Sequence, residues 1–175
     1  MAEALIVTGP CGAGKTTTAF ECLELLEEAG VPAAMIDAEL VYYHPAPPDD
    51  PHKERVAERA LAALWDIYRE EGIERLLLPR VLLHAPHLEL VRRAVPVERC
   101  VVVWLDVPEH VVAARLAARE RGSAVGWHLQ RAREVRESGM RVRADAHVDA
   151  DRPIGEVALD VLQRVGWLTS VGRDR

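Results

Sequence analysis

The chain has 175 residues, 49% of them hydrophobic, which is enough for one domain with a core of its own. Its net charge of −6 argues against a broad nucleic-acid surface, because an acidic protein repels a phosphate backbone unless a local patch overrides the field. No apolar run reaches membrane-spanning length and no signal pattern precedes the first strand; the three cysteines, at 11, 22 and 100, lack disulfide or metal spacing, so the expected setting is reducing cytoplasm.

In chain order, the first element is a short apolar run with β-branched members, 4–8, which reads as a buried parallel strand. Gly9-Pro10-Cys11-Gly12-Ala13-Gly14-Lys15-Thr16 follows and fits G-x-x-x-x-G-K-[ST], the phosphate-binding loop. Residues 17–29 then read as an amphipathic helix, with Ala19, Phe20, Leu23 and Leu26 apolar. The glycines let the backbone turn sharply, and the N–H groups it frees form an anion nest at the positive end of a helix. Lys15 is placed to reach β- and γ-phosphates, the Thr16 hydroxyl to ligate Mg²⁺, and Thr17 to touch the α-phosphate. Cys11, inside the loop, is either a small filler or a thiol whose pKa the positive field lowers.

Gly30 and Pro32 end the first helix, and residues 33–36 form a second short strand that runs into Asp37. A carboxylate there, with Glu39 two residues on, faces the ligand crevice of an open α/β sheet. Asp37 is expected to orient or deprotonate a hydroxyl, or to support Mg²⁺ through water; its alternative is a helix cap. The proline-rich stretch 42–51 can be neither a helix nor a central strand. Its Tyr42, Tyr43 and His44 are candidates for gripping a second substrate, unless the stretch is only a rigid spacer.

A long helix over 52–71 carries an apolar stripe, with Trp65 read as core, and a third strand runs from 76 to about 81. Many phosphate-loop proteins end this strand on an Asp that helps to hold Mg²⁺. Here the positions are Pro79 and Arg80, which moves that duty to Asp37 or Glu39. Arg80 is left either to bind an anionic or polar acceptor or to pair with Asp37. His84 and His87, three apart, find no third ligand at sensible spacing and read as solvated or capping groups.

A short helix over 87–95 leads to the clearest buried strand, 100–105, which ends at Asp106. A helix over 109–120 carries Arg115 and Arg119; a break over 122–126 separates it from a helix over 127–137 with Arg131, Arg133 and Arg136. Two helices around a glycine-flanked turn suggest a lid, about 115–136. Its arginines would clamp a transferring phosphoryl group or stack on a base, unless they pair with Glu109, Glu120, Glu134 and Glu137 on a solvated surface. A fifth strand, 146–149, precedes an amphipathic helix from Pro153 through Val165, and 170–175 read as a disordered tail. Five strands alternating with helices imply one α/β domain over 1–169, with a parallel sheet covered on both faces in three layers.

This pattern resembles the P-loop small-molecule kinases: adenylate, shikimate and gluconate kinases and the chloramphenicol- and tunicamycin-resistance phosphotransferases. The resemblance rests on residues 9–17, the Asp-x-Glu at 37–39, Arg115 and Arg119, and the closing Asp149…Glu156-Val157-Ala158. It extends to actinobacterial ATP-binding proteins with an Asp-x-(Asp/Glu), a proline-rich loop and a Trp-His-Leu-x-Arg helix, here 127–131. The resemblance implies sheet order 2-3-1-4-5, ATP with Mg²⁺, and Asp37 as the acceptor-side carboxylate. It casts Gly9, Cys11, Gly12, Ala13, Gly14, Lys15, Thr16, Thr17, Arg115 and Arg119 as nucleotide contacts and Thr16 and Asp37 as metal supports. Lys15, Asp37, Arg119 and Arg131 become the catalytic set, and Asp37, Glu39, Tyr42, Tyr43 and Arg80 the acceptor side. The expected activity is transfer of the γ-phosphate of ATP to a hydroxyl or phosphate of a small molecule. The alternative is a nucleotide-binding switch or accessory ATPase acting on a protein, against which the chain lacks an Asn-Lys-x-Asp guanine motif.

Overall fold

A computed structural model describes residues 1–119 and 124–169. Five strands, β1 (Glu3–Thr8), β2 (Ala34–Met35), β3 (Arg75–Pro79), β4 (Arg99–Asp106) and β5 (Ala146–Asp149), form one parallel sheet in the order β2-β3-β1-β4-β5. The helices are α1 (Lys15–Glu28), α2 (Glu54–Glu70), α3 (Ala85–Ala94), α4 (Glu109–Arg119), α5 (Ala124–Glu137) and α6 (Ile154–Val165).

Strand alternation explains the two-sided core. In β1, Leu5 and Val7 point to the face covered by α1 and α6, where they meet Ala19, Cys22 and Leu26 from α1 and Val157, Val161 and Leu162 from α6. Ala4 and Ile6 point to the other face, where Leu61 and Trp65 of α2 and Leu88 and Val91 of α3 close over them. Both faces are covered, so the central strands are apolar at nearly every position. Trp65 is core, as its place in the stripe suggests. No described helix is long and apolar enough to cross a membrane.

The structure changes several boundaries: the long helix expected over 52–71 spans Glu54–Glu70, and the third strand, expected to reach about 81, ends at Pro79. The second strand shrinks to two paired residues, although the Ile36 N–H still donates to the Leu77 carbonyl at 3.0 Å. The short helix expected from 87 begins at Ala85, with Pro86 in its first turn. The helix expected from 127 begins at Ala124, so Gly126 lies inside α5 rather than in a break. A single glycine inside a helix costs only about 1 kcal/mol relative to alanine, which the packing of Ala132 and Val135 offsets. Glu120, Arg121, Gly122 and Ser123, and the tail 170–175, lie outside the described residues.

One polar device shapes the proline-rich segment. Asp50 is 8% exposed, and its carboxylate accepts the N–H groups of Glu54 and Arg55 at 2.9 and 3.1 Å. These donors open α2 and have no helical partner, so Asp50 caps the helix from outside its first turn. The chain reaches that arrangement through Lys53, the one non-glycine described residue in the left-handed region, at φ 60°. Replacing Asp50 with Ala is expected to cost about 1–2 kcal/mol, read as a fall in Tm of roughly 2–8 °C. Asp50→Asn should lose less.

Candidate active site

The phosphate loop sits where β1 hands over to α1. Gly9 (φ 145°) passes under β4: a Cβ there would stand 2.9 Å from the Leu105 carbonyl oxygen. Gly12 (φ 81°) passes under α4: a Cβ there would stand 3.1 Å from Leu116 Cγ. Gly14 precedes α1 in the left-handed region, and the first-turn N–H groups of α1 face the loop. The Pro10 carbonyl closes the loop, accepting from the Ala13 N–H at 3.1 Å and from Lys15 Nζ at 3.1 Å. Burial lowers the pKa of the Lys15 ammonium, while the Glu39 and Asp37 carboxylates act to raise it.

Asp37 follows β2 and comes beside the loop. The Thr16 hydroxyl donates to its Oδ2 at 3.3 Å, and the Glu39 N–H donates to its Oδ1 at 3.1 Å. Glu39 continues the chain of contacts, since its Oε1 accepts the Val81 N–H at 2.8 Å. Asp37, Glu39 and the end of β3 are thus joined across the crevice. One hydroxyl and one carboxylate suit Mg²⁺, which keeps several waters and takes phosphate oxygens; among the described residues no three His, Cys, Asp or Glu side chains gather as a zinc-type cage. Asp106, at the end of β4, is engaged elsewhere: Arg141 donates to its two oxygens at 2.8 and 3.1 Å, and His147 Nδ1 lies 3.2 Å away. Burial would raise its pKa, but those partners hold it below the usual carboxylate value.

The other expected residues separate into groups. Arg119 and Arg131 bring their charges to bear on the Cys11 thiol in the loop. Arg131 also donates to Glu134 Oε2 at 3.3 Å, one turn along its own helix. Arg115 turns to the β5–α6 connection, where it donates to the Ala150 carbonyl at 3.1 Å. Arg133 pairs with Glu109, and Arg136 donates to the Val107 carbonyl, so these two serve the surface and the packing. Cys11 resolves against an activated thiol: burial raises its pKa, and the surrounding cations do not overcome that. Thr17 and Ala13 are in the loop and first turn as expected, Ala13 buried and Thr17 exposed.

A hollow of about 530 Å³ opens beside Glu39, lined also by Tyr42, Tyr43, His44 and Lys53. Lys53 was not expected here; its Nζ donates to the Tyr42 carbonyl at 2.9 Å, and its backbone is left-handed. A larger hollow, about 690 Å³ between Ala2, Arg69, Arg92 and Cys100, lies at the opposite, amino-terminal edge of the sheet. Ligands of open α/β sheets bind outside the carboxyl ends of the strands, which favours the smaller one. Arg80 does not pair with Asp37. It is buried beneath Tyr42, whose hydroxyl accepts from its Nη2.

His84 and His87 stack on each other with ring centroids 3.8 Å apart. His87 Nδ1 accepts the Leu83 N–H at 3.5 Å, which requires that nitrogen unprotonated. Burial, then the charges of His84, Arg80, Arg131 and His52, depress its pKa from 6.5 to about 4.

Solved structures align with nearly the whole chain. A tunicamycin resistance protein of Deinococcus radiodurans is 26% identical, with 95% of this chain and 96% of that one covered at a TM-score of 0.62. A gluconokinase from Sinorhizobium meliloti is 22% identical, with 93% of each chain covered at 0.60. A shikimate kinase from Aquifex aeolicus is 16% identical, with 94% and 96% covered at 0.55. No family model and no curated protein sequence matches the chain. The fold is that of the P-loop small-molecule kinases, with the expected sheet order.

The His87 environment has a consequence in acid. The unfolded chain binds a proton near pH 6.5 and the folded chain only near 4, so stability falls as pH drops through that window and levels off below it. His87→Gln keeps an acceptor for the Leu83 N–H but does not titrate. Its Tm is expected to fall less than that of the wild type between about pH 7.5 and 4.5; parallel curves would contradict the assignment.

Proposed function

We propose that the chain is a phosphotransferase that moves the γ-phosphoryl group of ATP, with Mg²⁺, to a hydroxyl or phosphate of a small molecule: a metabolite, a nucleoside or nucleotide, or an antibiotic. One observation carries this reading: the Asp37 carboxylate stands 3.3 Å from the Thr16 hydroxyl of the phosphate loop and accepts the N–H of Glu39, whose side chain lines the hollow. A loop alone would bind a nucleotide. A carboxylate at its γ-phosphate side, next to space for a second molecule, serves transfer to that molecule. The named activities of similar structures, a gluconokinase and a shikimate kinase, support a small-molecule acceptor.

In this reading the loop N–H groups and the start of α1 hold the phosphates, and Lys15 leaves the Pro10 carbonyl to reach the β- and γ-phosphates. Thr16 and Asp37 would hold Mg²⁺, which when bound neutralises phosphate charge. The acceptor hydroxyl oxygen forms its bond to the γ-phosphorus as the bond from that phosphorus to the β–γ bridging oxygen breaks. ADP departs with the bridging oxygen and its electron pair, and Asp37 orients the hydroxyl and takes its proton. Arg119 and Arg131, whose charges already reach the loop, stabilise the charge of the transferring group. Arg115 serves the nucleotide from the β5–α6 side. Tyr42, Tyr43, Glu39 and Arg80 shape the acceptor side. The setting is cytoplasmic, consistent with three free cysteines.

The test is ADP release from ATP and Mg²⁺ across nucleosides, nucleoside monophosphates, sugars, hydroxy acids and antibiotics. Acceptor-dependent release is expected. Slow, acceptor-independent release alone would favour a nucleotide switch acting on a protein. Lys15→Ala should abolish turnover; unchanged turnover sinks the assignment. Asp37→Asn should cut kcat by roughly 10²–10⁴-fold while moving ATP affinity far less. Equal loss of both would make Asp37 a metal support only.

A further inference from the structure

Arg80 directly follows β3 and carries a charge that the described residues do not compensate. It is 3% exposed. Its Nη2 donates to the Tyr42 hydroxyl, and its guanidinium carbon lies 5.0 Å from the Tyr42 ring centroid. Nη1 is buried and has no hydrogen-bond partner. Its backbone is held firmly, since the Arg80 N–H donates to the Val7 carbonyl at 3.0 Å. Among the described residues no ion pair joins Arg80 to a carboxylate. A guanidinium cannot discard its proton on burial as a lysine can, so it bears the full cost of desolvation. A buried cation with one nitrogen unsatisfied and no counter-charge is strongly destabilising, and such a group calls for a partner that comes from outside.

The surroundings say what kind of partner. Tyr42, which covers Arg80, also lines the hollow beside Glu39, so the cover of the guanidinium is a wall of the acceptor space. Lys53 lines the same hollow. The charges of Arg80, Arg131, His84 and His52 all bear on His87, which gathers the basic groups on the β3–α3 side. The opposite side, next to Thr16, is acidic: Asp37 and Glu39 are linked through the Glu39 N–H at 3.1 Å. A neutral hydroxyl suits the acidic wall, whereas a phosphate brought there would meet like charge. An anion suits the basic wall.

We infer that Arg80 anchors a carboxylate or phosphate group of the acceptor, so that the molecule phosphorylated is an anionic alcohol lying hydroxyl-first toward Asp37. The inference rests on the phosphotransferase reading and narrows its acceptor. Tyr42 shields the guanidinium in the ligand-free chain and moves aside as the anion reaches Nη1.

Two arms test it. In the binding arm, a non-hydrolysable ATP analogue with Mg²⁺ fills the phosphate loop, and millimolar inorganic phosphate or acetate is titrated while Tm is followed. A rise is expected in the wild type and none in Arg80→Gln; whichever anion acts distinguishes phosphate from carboxylate recognition. Equal shifts in both proteins, or a shift in neither, overturn the inference. In the turnover arm, hydroxy acids and sugar phosphates are compared with neutral polyols and sugars of matched size. The anionic alcohols should be favoured by roughly 10³-fold or more in kcat/KM, and Arg80→Gln should raise their KM more than it lowers kcat. Neutral acceptors turned over equally well would overturn the inference. Anion binding that depends on Arg80, with no ADP release from any acceptor, would count against the phosphotransferase reading and leave the anion site standing. Arg80→Met guards against a folding artefact: its ligand-free Tm should match or exceed that of the wild type, because an apolar replacement relieves a buried charge. A large fall in its Tm would mark the guanidinium as structural and overturn the inference.

Discussion

The phosphate loop has almost no room. It is threaded between the carboxyl end of β4 and the inward face of α4, and at both crossings a neighbouring atom stands closer to the Cβ position than an ordinary van der Waals contact, at 2.9 and 3.1 Å. A Cβ on Gly9 would stand 2.9 Å from the Leu105 carbonyl oxygen, which is backbone and cannot readily yield. Gly12 meets Leu116 and Val112, and those two buried side chains are the means by which α4 docks on the loop. The same contact that shapes the loop therefore seats the α4 helix, which carries Arg119, against it. The central place of β1, paired with both β3 and β4, supplies the rigid floor on which this can hold.

The second constraint is the clamp on the end of β3. The Arg80 N–H is held by the Val7 carbonyl, the Val81 N–H by Glu39, and the Leu82 N–H by the Thr8 hydroxyl at 3.2 Å. Three successive backbone donors are thus tied to β1 and to the segment after β2. With its backbone pinned, Arg80 starts from a fixed point at the end of the strand, and its side chain lies under Tyr42. The clamp also ties Glu39 to the strand end, so one set of hydrogen bonds positions both Glu39 and Arg80.

Much of this was legible in the chain. The loop with its strand and helix rested on three local signals that agree: glycine spacing, an apolar run and a helical stripe. The bounds of β5 came out as expected, because Asp149 and the Pro153 that follows punctuate it. Local signals failed where partners are distant in sequence. Asp50 as an external cap depends on a turn through a left-handed lysine, and no propensity foretells that. The burial of Arg80 depends on Tyr42, 38 residues earlier. Arg115 shares its helix face with Arg119 in the pattern, yet the β5–α6 connection offers it the Ala150 carbonyl. The Gly126 break was overruled by the burial of α5 side chains further along.

The absence of a carboxylate after β3 bears on the two roles proposed for Asp37. Its Oδ1 is held by the Glu39 N–H and its Oδ2 by the Thr16 hydroxyl. A serine- or threonine-type hydroxyl has one proton and two lone pairs, so Thr16 can offer a lone pair to a metal while still donating its proton to Asp37. A carboxylate oxygen likewise accepts more than one hydrogen bond, so Oδ2 can take the Thr16 proton and an acceptor hydroxyl together. Metal support and acceptor orientation are therefore compatible roles for one side chain, provided the acceptor arrives on the side away from the loop. Glu39, joined to Asp37 through its N–H, lines the hollow. An Asp after β3 would have put a third negative group against this wall. Arg80 in its place reverses the sign there, and in the proposed reading that reversal separates an end of the crevice suited to a hydroxyl from an end suited to an anionic group.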